Sequence, residues 1–152
     1  MKQLCLGIIV AIGLTLPALG QGVDPLIGTW KLNLEKSTWI GTAPPKSQIL
    51  TWTGEGQNLI NNAETVDAQG RTFKSVFRHI YDGMPHPTTD FPNIDSSTYN
   101  RIGNILSIAR FKNGKQVFVA QAVIDPGKTY TITTGGIINN QPFFSTAVYD
   151  RQ

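Results

Sequence analysis

The chain has 152 residues, a formal net charge of +3 at pH 7 and a single cysteine. The weak charge, with lysine and arginine scattered along the chain, gives no support for nucleic-acid binding. Because the one cysteine, Cys5, lies in the N-terminal leader, the domain of residues 21–152 has no thiol for a disulfide, a nucleophile or a metal site.

The first twenty residues have the pattern of a secretory signal peptide. Lys2 supplies a basic start, residues 4–16 are almost wholly apolar, and Pro17 ends the run. Ala18 and Gly20 place small residues three before and one before a cleavage site. The apolar run is too short to span a bilayer, and an uncleaved anchor is the alternative. We therefore expect a soluble exported protein, periplasmic or extracellular, with no membrane association after signal cleavage.

The first predicted strand begins at Gly28, which has no Cβ and so allows another segment to approach closely. Trp30, Leu32 and Leu34 alternate with polar residues, the period of two typical of a strand with one buried face. Residues 35–46 contain glycine and two prolines, and they are predicted to form a loop.

Eight more strands are predicted, and most of them are joined by tight turns. They are residues 48–53, 58–66, 71–81, 97–102, 104–112, 116–124, 129–134 and 143–149. Residues 82–95 form the longest loop, and Asn113-Gly114 is the strongest hairpin signal. Tight turns join antiparallel neighbours, so we predict an all-β fold, an antiparallel up-and-down β-barrel of about eight to ten strands. A two-sheet sandwich is the structural alternative.

Six short motifs are spread over nearly the whole domain. They are Gly28-Thr29-Trp30-Lys31-Leu32-Asn33 followed by Lys36-Ser37, then Pro44-Pro45-Lys46-Ser47, Tyr81-Asp82-Gly83, Arg101-Ile102, Asn113-Gly114-Lys115 and Ala147-Val148-Tyr149-Asp150-Arg151-Gln152. Together they resemble a family of small secreted bacterial proteins with a lipocalin-like domain, most of which have no known ligand. The resemblance implies a lipocalin-like (calycin-like) β-barrel whose structural signature is Gly28, Trp30 and Arg151.

In lipocalins the first-strand tryptophan plugs the closed end of the barrel, and an arginine near the last strand stacks on it. Trp30 and Arg151 stand at the matching positions of this sequence. The alternative for Arg151 is an ordinary solvated arginine at the chain terminus.

The predicted fourth strand carries the candidate ligand-binding site. One face of it contains Phe73, Ser75, Phe77, His79 and Tyr81. Lys74 and Arg78 share the opposite face, which must be wet, so the aromatic face is predicted to point inward. Trp52 and Tyr130 are expected to complete the wall. Such a wall suits a small apolar ligand with a polar end; the alternative is that these residues simply pack the core.

The sequence contains no catalytic motif and no sign of a cofactor. Ser75 and His79 would lie roughly 13 Å apart along a strand, too far for a hydrogen-bonded nucleophile pair. The acidic residues and histidines at 79–95 match no known metal-ligand spacing. Haem ligation by His79 has no further support in the chain.

Two functions remain for this fold. The first is a non-catalytic barrel that binds a small hydrophobic molecule in its interior. The alternative is a filled-barrel interaction protein, an inhibitor or assembly factor, which acts through proline-bearing loops that are ordered before binding. Its protein partner is unknown. An enzyme would rest on analogy between folds alone.

Export makes a direct prediction about the N-terminus of the mature protein. N-terminal sequencing of the exported form is expected to begin at Gln21, within two residues, because the small residues at positions 18 and 20 define the cleavage site. Recovery of the full-length chain in the membrane fraction would contradict this prediction.

Overall fold

The computed structural model of the protein describes residues 24–88, 93–138 and 140–152. The predicted leader, residues 1–20, lies outside the described residues. The strands are β1 (Gly28–Ile40), β2 (Ser47–Glu55), β3 (Asn58–Val66), β4 (Thr72–Ile80), β5 (His86–Pro87), β6 (Ser96–Ile102), β7 (Ile105–Lys112), β8 (Lys115–Asp125), β9 (Thr129–Ile138) and β10 (Gln141–Arg151). In the part of the chain that the structure describes, no helix has the length and apolar character needed to cross a membrane.

The ten strands form one antiparallel sheet in the order β4-β3-β2-β1-β10-β9-β8-β7-β6-β5. The first strand pairs with the last, with Trp30 opposite Arg151 and Leu32 opposite Tyr149. The sheet therefore curls into a nearly closed barrel whose two edges, β4 and β5, face each other across a gap. The predicted up-and-down barrel is confirmed, and the two-sheet sandwich is excluded.

Two details of the predicted loops were wrong. The first strand does not end at residue 34 but continues to Ile40, because a β-bulge between Asn33 and Thr38 restores its pairing with β10. Ser37 bridges this bulge: its hydroxyl donates to the Asn33 carbonyl at 2.6 Å and accepts from the Val148 N–H at 2.8 Å. Within the predicted loop 82–95, the structure adds the two-residue strand β5.

The closed end of the barrel is built around Trp30, which is fully buried. Its indole Nε1–H donates to the carbonyl of Leu26 at 2.8 Å, and Leu26 is itself fully buried beneath the ring. A buried indole N–H without such a partner would cost free energy, so this bond fixes the segment that precedes β1 across the base of the barrel.

Arg151 lies over the opposite face of this arrangement. Its guanidinium carbon stands 5.0 Å from the centre of the Trp30 ring, which is a cation–π contact. The same group donates to the carbonyls of Pro25 at 3.0 Å and Ile27 at 2.8 Å. In the structure, Arg151 stacks on Trp30 and is not an ordinary solvated arginine at the chain terminus. Gly28 is needed here, since a Cβ on it would lie 2.9 Å from an Arg151 nitrogen and its φ is +135°.

Replacing Trp30 by alanine is expected to lower the free energy of unfolding by about 3–5 kcal/mol, because it empties a large buried volume and removes the support of Arg151. Urea unfolding followed by circular dichroism measures the change. Trp39→Ala is the matched control: this half-buried tryptophan of the same strand is expected to cost less. An unchanged unfolding midpoint for the Trp30 variant would contradict the prediction.

Candidate functional site

The half of the barrel interior next to Trp30 is filled with side chains. The rings that occupy it, all no more than 5% exposed, are Trp30, Trp52, His79, Tyr81, Tyr99 and Tyr130. We call this group the floor. Leu59, Leu106 and Ile124 complete the wall around it, each at most 2% exposed. The floor therefore closes one end of the barrel.

The rings of the floor touch one another in a continuous chain. His79 lies 4.9 Å from Trp52 and 4.6 Å from Tyr99 between ring centres, and Trp52 lies 6.2 Å from Tyr130. His79 comes from β4 and Tyr99 from β6, so their edge-to-face contact spans the gap between the edges of the sheet. The Gly83 N–H also donates to the Tyr99 carbonyl at 3.0 Å and ties the chain after β4 to β6.

At the other end, the inner side chains are only half-buried. The group, which we call the mouth, consists of Phe77, Arg110, Phe118, Ile132, Thr134 and Phe143. The Arg110 guanidinium lies 4.9 Å from the centre of the Phe118 ring, and the rings of Phe118 and Phe143 are 6.2 Å apart. Gly136 permits this packing, since a Cβ on it would stand 2.9 Å from the Phe143 ring.

Small side chains line the wall between the floor and the mouth. They are Ala63, Ala120, Ala122, Ser145 and Ala147, and all are buried. In a small barrel the interior is filled where inward side chains are large, and it has space where they are small. The inner wall thus changes from large, buried rings at the Trp30 end to small side chains and half-exposed rings at the opposite end.

The structure brings together most of the predicted site residues. Trp52, His79, Tyr81 and Tyr130 meet in the floor, while Phe77 and Ser75 are half-buried further along β4. Phe73 does not join them: its side chain is 48% exposed, although it was predicted to line the interior. Phe73 is the second residue of β4 and lies beside the turn from β3. Side chains still alternate between the two faces of the strand there, but the packing that buries the inward residues further along β4 does not cover Phe73.

Sequence reasoning missed several residues that share this interior. They are Asn61, Ser97, Tyr99, Arg110 and Phe118. In β6 every outward residue up to Asn100 is polar, as is the inward Ser97, so alternation of hydrophobicity was absent. Tyr99, the only aromatic residue of that strand, was the one signal that could have fixed which face points inward.

Five buried polar atoms of this interior have no hydrogen-bond partner among the described residues. They are Trp52 Nε1, Asn61 Oδ1, His79 Nδ1, Tyr81 OH and Ser97 Oγ. Asn61 is paired across the sheet with Phe77, and Ser97 is paired with Arg110. These two polar side chains therefore lie where the floor meets the mouth. Buried polar groups without partners are uncommon in proteins and usually have a functional reason.

The floor is uncharged at neutral pH. Burial, with a smaller contribution from the charge of Arg110, lowers the pKa of His79 to about 3. Burial also raises the pKa of Tyr81 and of Tyr130 above the ordinary tyrosine value. The polar groups of the floor can therefore donate and accept hydrogen bonds, but they carry no charge.

No group of three or more metal-ligating side chains occurs within residues 24–88, 93–138 and 140–152. Three of the residues considered as ligands from the sequence, Asp82, His86 and Asp95, form hydrogen bonds with other side chains. His86 Nε2 forms a 2.9 Å hydrogen bond with the carboxylate of Asp82, and Asp95 accepts a 2.7 Å hydrogen bond from Lys112. Asp90 lies outside the described residues.

No protein-family model and no curated protein matches the sequence. Solved structures do resemble the fold. The wild-type fluorescent protein UnaG has 16% sequence identity and a TM-score of 0.56, covering 86% of this chain and 99% of that one. The zebrafish ileal bile acid-binding protein in complex with cholic acid has 13% identity and a TM-score of 0.52, covering 84% and 99%.

A fatty acid-binding protein from the brain of Drosophila melanogaster has 16% identity and a TM-score of 0.51, covering 82% of this chain and 98% of that one. At such low identities the likeness concerns the fold alone. The chain has the lipocalin-like, or calycin-like, β-barrel fold. The comparisons give no support for the narrower resemblance to secreted bacterial proteins.

The lowered pKa of His79 predicts a dependence of stability on pH. Between about pH 6.5 and about pH 3 the unfolded chain binds a proton at this position and the folded protein does not, so stability falls as the pH falls through this window. The slope is expected to approach about 1.4 kcal/mol per pH unit. Urea unfolding at several pH values measures it.

Two variants separate this effect from other titrating groups. His79→Phe keeps a ring in the floor and is expected to lose the part of the slope that His79 contributes, while the part that comes from carboxyl groups with a lowered pKa remains. His86→Gln removes the other histidine of the chain and is expected to retain the part that His79 contributes. The same slope in wild type and His79→Phe would contradict the assignment.

Proposed function

We propose that the protein is a non-catalytic carrier or sensor that binds a small, mostly hydrophobic molecule in the mouth of its barrel. The observation that carries this proposal is the change along the inner wall, from buried rings in the floor to half-exposed rings above small side chains. Ligand sites in proteins are concave and mostly apolar, with a few polar groups that orient the ligand. The mouth has this composition.

The bound molecule carries a polar group at the end that enters the barrel first. At the base of the mouth, the buried Asn61 Oδ1 and Ser97 Oγ have no partner among the described residues. One is an acceptor and the other can donate or accept, so together they suit a hydroxyl, an amide or a carboxyl group. The apolar body of the ligand then lies against Phe77 and Phe118.

Two proteins of the same fold support this proposal. One is the bile acid-binding protein solved with cholic acid, and the other is the fatty acid-binding protein. Cholic acid and a fatty acid are both amphipathic molecules with an apolar body and a polar end. This is the class of molecule that the mouth and its polar base would accept.

The proposal includes export to the periplasm or the extracellular medium, for which the basic start, apolar run and small residues of 1–20 are the support. The motif resemblance to secreted bacterial proteins with a lipocalin-like domain points the same way. A barrel without cysteine is compatible with an oxidising compartment, because it has no thiol to mispair.

Titration with the fluorescent amphiphile dansylaminoundecanoic acid tests the proposal. The wild type is expected to bind the probe saturably, and Phe77→Ala is expected to weaken binding through lost apolar contact. Val76→Ala is the matched control, because this neighbouring residue is 55% exposed on the outer face of β4. No saturable binding by the wild type would favour the filled-barrel interaction protein instead.

Ser97→Ala gives a sharper test of the polar base. If the hydroxyl serves a ligand, its loss is expected to weaken probe binding by about 1–3 kcal/mol and to leave the stability of the free protein unchanged or raised. A purely structural hydroxyl would give the opposite pattern, with lower stability and unchanged affinity. Urea unfolding of the free protein and probe titration together distinguish the two cases.

A further inference from the structure

The sheet ends at β4, and one edge of this strand has no partner strand among the described residues. The Tyr81 N–H donates to the Gln57 carbonyl at 2.9 Å, and the Asp67 N–H donates to the Arg71 carbonyl at 3.0 Å, so hydrogen-bonded pairs close both ends of the β3–β4 ladder. Bonded and non-bonded pairs alternate in an antiparallel ladder, and the register of β3 with β4 is continuous. The residues of β4 whose backbone N–H and carbonyl groups point away from β3 are therefore Thr72, Lys74, Val76, Arg78 and Ile80.

The strand on the other side of the gap cannot complete the ladder. The Thr88 N–H donates to the Asp95 carbonyl at 3.1 Å, so Thr88 directs its backbone groups toward the β6 side and the preceding Pro87 directs its own toward β4. Proline has no backbone N–H, so Pro87 offers β4 an acceptor and no donor. Edge strands of natural proteins often carry proline, which prevents them from pairing.

A cleft of about 480 Å³ lies along the free edge of β4. It is lined by Val76, Arg78 and Ile80 on one side and by β5 and Tyr99 on the other. The three β4 residues are among those that direct their backbone groups into the gap. The cleft thus combines unpaired backbone groups with a row of side chains from every second residue of β4.

We propose that this cleft binds an extended segment of another protein, which adds to the free edge of β4 as one more strand. A row of backbone donors and acceptors with a repeat of two residues is matched by the backbone of an extended peptide. Lipid chains and compact apolar ligands have no such row and would leave the backbone groups of β4 unpaired. This inference does not rest on the small molecule that we propose for the mouth.

The side chains beside the free edge define the chemistry of the bound segment. Arg78 is exposed, and its guanidinium forms no ion pair or hydrogen bond with a described residue, whereas the nearby Lys74 is paired with Glu64. Val76 is 55% exposed and Ile80 is half-buried, so the positions on both sides of Arg78 are apolar. Side chains directly opposite each other on neighbouring strands lie in contact. The bound segment thus carries an acidic residue opposite Arg78 and apolar residues opposite Val76 and Ile80.

The residues between these positions point toward the barrel and must be small. The rings of His79 and Tyr99 meet across the same gap inside the barrel, with their centres 4.6 Å apart. A large inward side chain on the added strand would displace this contact. We therefore expect serine, alanine or glycine at the positions that alternate with the acidic and apolar ones.

The charges of β4 disfavour a second copy of this chain at the same edge. If two copies paired their β4 strands in the antiparallel register centred on Val76, Lys74 of each copy would lie opposite Arg78 of the other. Like charges at opposite positions destabilise a strand pair. An acidic segment instead gains from the charge of Arg78, so the edge selects a partner of opposite charge.

Fluorescence polarisation with a synthetic peptide tests the proposal. The peptide carries fluorescein at its N-terminus, and in its sequence valine, glutamate and valine alternate with serine. A counterpart has lysine in place of glutamate. The wild type is expected to bind the glutamate peptide saturably and the lysine peptide at least about tenfold more weakly, because only the first can pair with Arg78.

Arg78→Glu is expected to reverse this preference, since it inverts the charge that faces the centre of the peptide. Lys31→Glu is the matched control: this exposed lysine lies on β1, which β2 and β3 separate from β4, and the variant is expected to bind both peptides as the wild type does. Circular dichroism verifies that both variants fold. No saturable binding of the glutamate peptide by the wild type, or an unchanged preference in Arg78→Glu, would overturn the proposal.

Two N-methylated forms of the glutamate peptide test the backbone ladder separately from the charge. One form is methylated at the valines and the glutamate, and the other at the serines. Each form lacks the N–H donors of one edge of the extended peptide, and strand addition uses one edge, so at least one form is expected to lose binding. Binding of both forms as tight as that of the unmodified peptide would overturn strand addition.

Discussion

The contact between Arg151 and Trp30 is the constraint on which the barrel depends. It joins the last strand to the first, and the pairing of β10 with β1 is what converts a linear meander into a curved, nearly closed sheet. Because Arg151 also donates to two carbonyls of the segment before β1, a single side chain ties together the C-terminus, the first strand and the base of the barrel. No disulfide of the domain could take over this role, so packing and hydrogen bonds alone maintain closure.

Closure at β1 and β10 leaves the opening elsewhere, between β4 and β5. Two contacts cross this gap: the Gly83 N–H donates to the Tyr99 carbonyl, and the His79 and Tyr99 rings meet edge to face inside the barrel. The same rings belong to the floor, so the aromatic packing that fills one end of the interior also bridges its open seam. A charged imidazole would be costly in that place, and burial keeps His79 neutral at physiological pH. The floor thus has a structural role, and a ligand would contact only the side of it that faces the mouth.

Much of the fold could be predicted from alternation and turn residues, because both act locally. Trp30, Leu32 and the Asn113-Gly114 turn specify faces and hairpins without reference to distant residues. The continuation of β1 through its bulge could not be predicted, since it depends on Ser37 meeting β10, more than a hundred residues away. Only part of the candidate site could be predicted, because alternation identifies an inward residue only on a strand whose two faces differ in polarity. The charged outer face of β4 identified His79 and Phe77 as inward residues, whereas Asn61 and Ser97 lie on strands whose two faces have similar polarity.

Alternation gives β8, β9 and β10 two tasks at once. Their inward residues include the small, buried Ala120, Ala122 and Ala147, and their outward residues include Val119 and Phe144, which are exposed on the outer wall. A register slip of one residue would exchange the two sets, filling the interior and removing the apolar surface together. Any widening of the barrel needed to admit a ligand would be easiest at the gap between β4 and β5, where the Gly83–Tyr99 hydrogen bond and ring contacts, rather than a ladder of paired strands, join the two sides.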